Sequence, residues 1–149
     1  SHYVTALTRA IDDTDTWATE AGLPTGSAGL RTRAQAAATA ARQLESAIDA
    51  GLAAGTLTRA SASRLNDRLA RVEQMLADDD GAPDTKWYRH VFYGWNIYSL
   101  YDGQPFPGLA EAYRLKDAAR VGRERGRIER ALGRMSAELD AALAAVNGR

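Results

Sequence analysis

A chain of 149 residues with 45% apolar and 26% charged side chains has the make-up of one ordinary globular domain, with room for a single core. Nineteen basic side chains balance nineteen acidic ones, which argues against nucleic acid or an anionic membrane surface as the main partner. There is no cysteine for a disulfide or a thiolate, no run of 18 apolar residues, and no basic-then-apolar leader pattern.

Ser1-His2 reads as a tag remnant, so the expectation is a domain cut from a longer chain. Residues 3–20 place Val4, Leu7, Ile11 and Trp17 on one face at helical spacing, with Asp12, Asp13, Asp15 and Glu20 on the rest of the surface. Pro24 and three glycines between Gly22 and Gly29 then break the chain. A second helix is expected over 30–54, where Leu30, Ala34, Ala37, Ala41, Leu44 and Ile48 step by three and four. Its seam is mostly Ala, which favours helix and lets a neighbour approach closely. Thr56 or Thr58 can cap a third helix over 57–79, with Leu65, Leu69, Val72 and Leu76 as its core stripe. Asn66 and Asp67 sit beside that stripe and read as hydrogen-bonding to loop backbone. Asp78-Asp79-Asp80-Gly81 lacks the alternating ligands and the terminal Glu of a calcium loop and reads as a polar helix exit.

Between Trp87 and Tyr113 lie nine of the eleven aromatic residues, and Pro83, Pro105 and Pro107 are three of the four prolines. So many rings do not stay in water, yet Gly94, Asp102-Gly103 and the prolines forbid one long helix. The segment 84–108 is therefore expected to be largely non-helical and draped over a bundle. A short helical piece from Gly108 or Leu109 to Leu115 follows. A last long helix spans 117–146, with Ile128, Leu132, Met135, Leu139, Leu143 and Val146 as its stripe. Gly122 and Gly126 weaken its first third by roughly 1 kcal/mol each, so a kink or a close contact is expected there. Its first half is basic, offset by the acidic clusters elsewhere, and it has little aromatic company for stacking on bases. The fold class is all-α: an up-and-down bundle of about four helices, forming one domain over 1–149.

The residues leave little room for catalysis. A hydrolytic zinc site needs several converging His or carboxylate ligands, and the chain has two histidines, His2 and His90. No cysteine nucleophile, phosphate loop or Ser-His-Asp set is present. His90, inside the aromatic segment, reads as a hydrogen-bonded structural histidine.

Trp87-Tyr88-Arg89-His90-Val91, followed after a gap by Tyr101-x-Gly103-x-x-Phe106-Pro107-Gly108, resembles the transferrin-receptor-like dimerisation domain of glutamate carboxypeptidase II, its dizinc relatives and the transferrin receptor. Upstream, Leu65-Asn66-Asp67-Arg68-Leu69 is similar to the Asn-Asp-x-Leu helix of that family, and the resemblance is strongest over 61–113. It implies a non-catalytic homodimerisation domain, with two zinc ions and the general base in a separate catalytic domain of an extracytoplasmic or secreted parent. It also implies that the aromatic loop covers part of the parent's substrate pocket through Leu100, Tyr101 and Gly103. Glutamate-specific members carry a Lys-Tyr pair where this chain has Leu100-Tyr101, which implies a preference for a more apolar terminal side chain. The alternative is a helical protein-binding module of a receptor-like relative without peptidase activity.

Overall fold

The computed structural model describes residues 2–81, 88–96 and 102–147, without the side chains of His2, Tyr3 and Trp95. Trp87, Leu100 and Tyr101 lie outside the described residues. Five helices and one two-stranded sheet make up the described fold: α1 (His2–Ala21), α2 (Ser27–Ala53), α3 (Arg59–Gln74), β1 (Tyr93–Trp95), β2 (Gly103–Pro105), α4 (Pro107–Arg114) and α5 (Ala118–Val146).

The chain ends its helices with the local chemistry available to it. Thr58, extended, accepts from the Ser61 amide at the start of α3, and Asp117 accepts from the Arg120 amide at the start of α5. Gly22 and Gly55 take the left-handed conformation just past α1 and α2, where a Cβ would be strained. Helix α5 runs unbroken through Gly122 and Gly126, so neither glycine ends it.

Helix α5 is the axis of the molecule. Its buried stripe of Val121, Ile128, Leu132, Met135 and Leu139 packs mainly against α2 and α3. Along α2 the contact is parallel, since the Arg125 side chain lies over Gly26, Glu129 over Gly29, and Arg33 beside Gly133. Along α3 it is antiparallel, with Arg68 bound to Glu138 at 3.2 Å and Asp78 bound to Arg127 at 3.2 Å at the opposite end. Helix α1 lies antiparallel on α2, and Arg31 ties them by ion pairs to Asp12 at 2.6 Å and Asp15 at 2.8 Å. Burial alone would raise the Asp15 carboxyl, but hydrogen bonds from Arg31 and Ser27 outweigh it and hold the carboxyl below its ordinary value. Helix α4 bridges α1 and α5.

Two expectations need correction. Helix α3 ends at Gln74, not near Asp79, because residues 76–78 leave the helix to pair with 89–91. Arg134 of α5 holds that exit open by donating to the carbonyls of Met75 at 3.0 Å and Ala77 at 2.9 Å. The second concerns Leu69, expected in the core stripe but 39% exposed, while Leu65 and Leu76 on either side of it are buried. At about 100° per residue Leu65, Leu69 and Val72 share one face within about 60°, and Leu69 stands at the edge of that stripe. In α3, Leu65 is buried, whereas Leu69 and Val72 both line a cleft beside it. Among the described residues the helix count is five, with the short α4 as a full element, and the segment between α3 and α4 carries the two short strands.

Candidate functional site

The aromatic segment is anchored by pairing its backbone first to the α3 exit and then to itself. The Asp78 amide donates to the Arg89 carbonyl at 2.8 Å, and the Val91 amide donates to the Leu76 carbonyl at 2.9 Å, around an antiparallel bridge of Ala77 and His90. Strands β1 and β2 then pair antiparallel, with Tyr93 opposite Pro105 and Trp95 opposite Gly103. The Phe106 amide closes this short ladder on the Phe92 carbonyl at 2.8 Å.

Phe106 pins the segment to the bundle. Its ring is fully buried and stands edge-on to Phe92, with centroids 5.1 Å apart and planes at 85°. Its backbone is left-handed, at φ 46 and ψ 56, which a non-glycine residue adopts only when its surroundings hold it there. That turn places Pro107 at the start of α4, where a missing N–H does no harm. Phe106-Pro107-Gly108 is thus a corner: a buried ring, a sharp reversal and a helix start. Gly94 completes it, since a Cβ there would lie 2.7 Å from Pro107 Cγ and 2.9 Å from Tyr88 Cε1. At Gly103 a Cβ would collide with the Tyr93 hydroxyl and Cζ, so that glycine leaves room for the ring across the hairpin.

The motif side chains before the hairpin act inside the fold. The Tyr88 hydroxyl donates to the Tyr93 carbonyl, and burial pushes its ionisation above the ordinary tyrosine value. His90 Nδ1 accepts from the Tyr93 amide at 3.0 Å, which makes it a local cap for the turn into β1. Arg89 reaches Asp79 at 3.3 Å on an exposed surface, a contact worth little in solvent. Below them Arg127 is nearly enclosed and grips Asp78, Glu124 and the Gly81 carbonyl. Desolvation would raise the Asp78 carboxyl, but its hydrogen bonds from Arg127 and the Asp80 amide prevail and lower it. The acidic run at 78–81 is therefore a turn: the Asp80 amide bonds Asp78 Oδ1 at 3.0 Å, and Gly81 takes φ +71. Asn66 and Asp67 are exposed on α3, and neither reaches loop backbone among the described residues.

Two hollows flank the aromatic segment. One is a cleft of about 760 Å³ between α2 and α3, floored by α5 and closed at one end by Tyr88, His90, Phe92 and Tyr93. Its lining also includes Val4, Leu7, Ala37, Ala38, Leu69 and Met135, and Glu73 is the one carboxylate in it. The sequence reading missed this cleft, although the Ala seam of α2 and the Leu69 position were the signals that mark its two sides. The other hollow, about 400 Å³, lies between the end of α1, the hairpin and α4. It has Trp17, Glu20, Asn96, Gln104, Tyr113 and Lys116 in its wall, a mixed polar lining on the hairpin's far side.

Among the described residues no three His, Cys, Asp or Glu side chains converge as a metal site. No helix among them is long and apolar enough to cross a membrane. The decisive comparison is with the family model for the transferrin receptor-like dimerisation domain, which matches residues 23–140. The chain belongs to the transferrin receptor-like dimerisation domain family. Among curated proteins it is similar to a probable glutamate carboxypeptidase, LAMP1, of Arabidopsis thaliana, at 44% identity over 48 residues, or 32% of this chain and 7% of that protein. It is also similar to an inactive zinc metalloprotease, C354.09c, of Schizosaccharomyces pombe, at 35% identity over 74 residues, or 50% of this chain and 9% of that protein. The matched part spans less than a tenth of either relative, one named a probable glutamate carboxypeptidase and the other an inactive zinc metalloprotease.

Proposed function

We propose that this chain is the homodimerisation domain of a dizinc peptidase-like protein of the glutamate carboxypeptidase type and is itself non-catalytic. The observation that carries the reading is the family match over residues 23–140, most of the described fold. Two zinc ions and the general base belong to the parent's catalytic domain, and the chain contributes self-association and a wall of the substrate pocket. The wall is assigned to the turn around Leu100, Tyr101 and Gly103. The anchoring of both ends of that turn supports it: Phe92 and Phe106 lock its base, and the Asn96 amide bonds the Asp102 carbonyl at 3.2 Å across its neck. A base tied at both strands in this way is what a substrate-positioning segment needs.

In the parent, the Tyr101 hydroxyl donates to the substrate's terminal carboxylate, and Leu100 favours an apolar terminal side chain. A hydrogen bond to a charged group is worth about 1.5–3 kcal/mol. Tyr101→Phe then lowers kcat/KM roughly ten- to a hundredfold, and Leu100→Lys shifts preference toward substrates ending in Glu or Asp. Unchanged kinetics in both variants would show that the turn only packs. The self-association arm is tested on the chain itself by light scattering at tens of micromolar, where the expected species is a dimer; a monomer there counts against it. The likeness to an inactive metalloprotease favours a second reading, in which the parent has lost peptidase activity and the domain serves assembly alone. A parent that dimerises, binds no zinc and hydrolyses no peptide would establish that reading.

A further inference from the structure

We infer that the apolar cleft between α2 and α3 is the surface through which two copies of this chain meet. The inference deepens the dimerisation reading above and rests on it. Leu7, Leu76, Phe92, Met135 and Leu139 form a floor that the chain has already buried, each at most 7% exposed. The walls are different: Leu69 is 39% exposed and Tyr93 52%, two of the four large apolar side chains left most open on the described surface. Monomeric proteins seldom leave a contiguous apolar hollow of this kind facing water.

A second copy is the occupant because the patch is complementary to itself. A two-fold interface presents one surface to its own image, so it must hold both projections and recesses. Here α3 and the aromatic segment supply the projections, Leu69 and Tyr93, and α2 supplies the recess, where Ala37, Ala38 and Ala41 present nothing larger than a methyl group. Rotated onto its copy, Leu69 enters the Ala38–Ala41 recess of the partner while the partner's Leu69 enters this one. The charge pattern agrees. Exposed Glu73 on the α3 wall and exposed Arg42, one turn beyond Ala38 on α2, have no ion-pair partner among the described residues. The exchange that seats Leu69 brings each toward its opposite on the other copy. The fifteen residues lining the cleft are half or more of the roughly 20–30 a side that a stable interface uses. An almost wholly apolar lining also suits a permanent partner better than a transient one.

The chain has no cysteine, so introduced thiols report position cleanly. Ala38→Cys and Leu69→Cys chains are mixed, oxidised and run without reductant, with Leu52→Cys, exposed at the far end of α2, as the control in place of Leu69→Cys. The expected result is a disulfide-linked 38–69 pair and little 38–52 product. In parallel, Leu69→Glu raises the dimer Kd at least about thirtyfold, as loss of a central anchor does. Leu115→Glu, exposed on another face, leaves it within about threefold. Circular dichroism confirms that both variants fold. A wild-type dimer without the 38–69 link overturns the inference whatever the Leu69→Glu result, and leaves the cleft to another part of the parent. A wild-type chain that stays monomeric removes the dimerisation reading and this inference with it.

Discussion

Replacing Phe106 separates two effects that the native corner combines. The ring is fully buried and pairs edge-on with Phe92, so Phe106→Ala loses the transfer of a whole aromatic side chain and leaves a cavity, about 3–5 kcal/mol. The left-handed backbone, at φ 46, is a separate cost of about 1–2 kcal/mol that any side chain with a Cβ incurs. Phe106→Gly removes the same ring and relieves that cost, so it should fall short of Phe106→Ala in damage by about 1 kcal/mol. The expected order of stability is wild type, then Gly, then Ala. Burial outweighs strain, which is why phenylalanine is tolerable at a position whose backbone suits glycine. The assay is urea unfolding followed by far-ultraviolet circular dichroism, with all variants at one chain concentration because association adds to apparent stability. An Ala variant as stable as the Gly variant would show that the backbone is not held left-handed. A loss below about 1 kcal/mol in both would show that the ring does not anchor the segment.

Leu132→Ala and Leu69→Ala should differ sharply: Leu132 is fully buried and should cost about 2–5 kcal/mol, while Leu69, 39% exposed, should cost under about 1 kcal/mol in chemical unfolding at concentrations where the chain is monomeric. Asp78 loses its proton more readily folded than unfolded, so its contribution is fully present above the ordinary carboxylate value of about 3.9 and is lost as pH falls through the lower folded value. Asp78→Asn should therefore cost about 1–3 kcal/mol at pH 7 and flatten the acid limb of a stability–pH curve; an unchanged acid limb would remove Asp78 from that linkage. Gly94→Ala should destabilise the corner, since its methyl would meet Pro107 and Tyr88 inside 3 Å, and hydrogen exchange should rise first in β1 and β2. Metal analysis of the purified chain should find no stoichiometric zinc.

The sequence alone determined the helical class and the positions of the helices to within a few residues at most ends. Apolar spacing and local caps are short-range signals, and Thr58, Asp117, Gly22 and Gly55 act within a turn of where they stand. It also marked the aromatic segment as the organising feature and carried the family motif within it. The tertiary structure alone decided what those motif residues do. That Phe106 is a left-handed anchor depends on Phe92, fourteen positions away, and on a backbone no sequence spacing reveals. The early end of α3 is set by Arg134 and by pairing with 89–91, contacts that compete with the helix only once α5 is in place. Leu69 reads as core because spacing shows that a stripe exists and not how wide a neighbour lies over it. With α2 and α3 both packed on α5, the far flank of that stripe faces the cleft. Whether an apolar side chain is buried in its own chain or kept for a partner is a property of the packed surface, and the order of residues along a helix does not contain it.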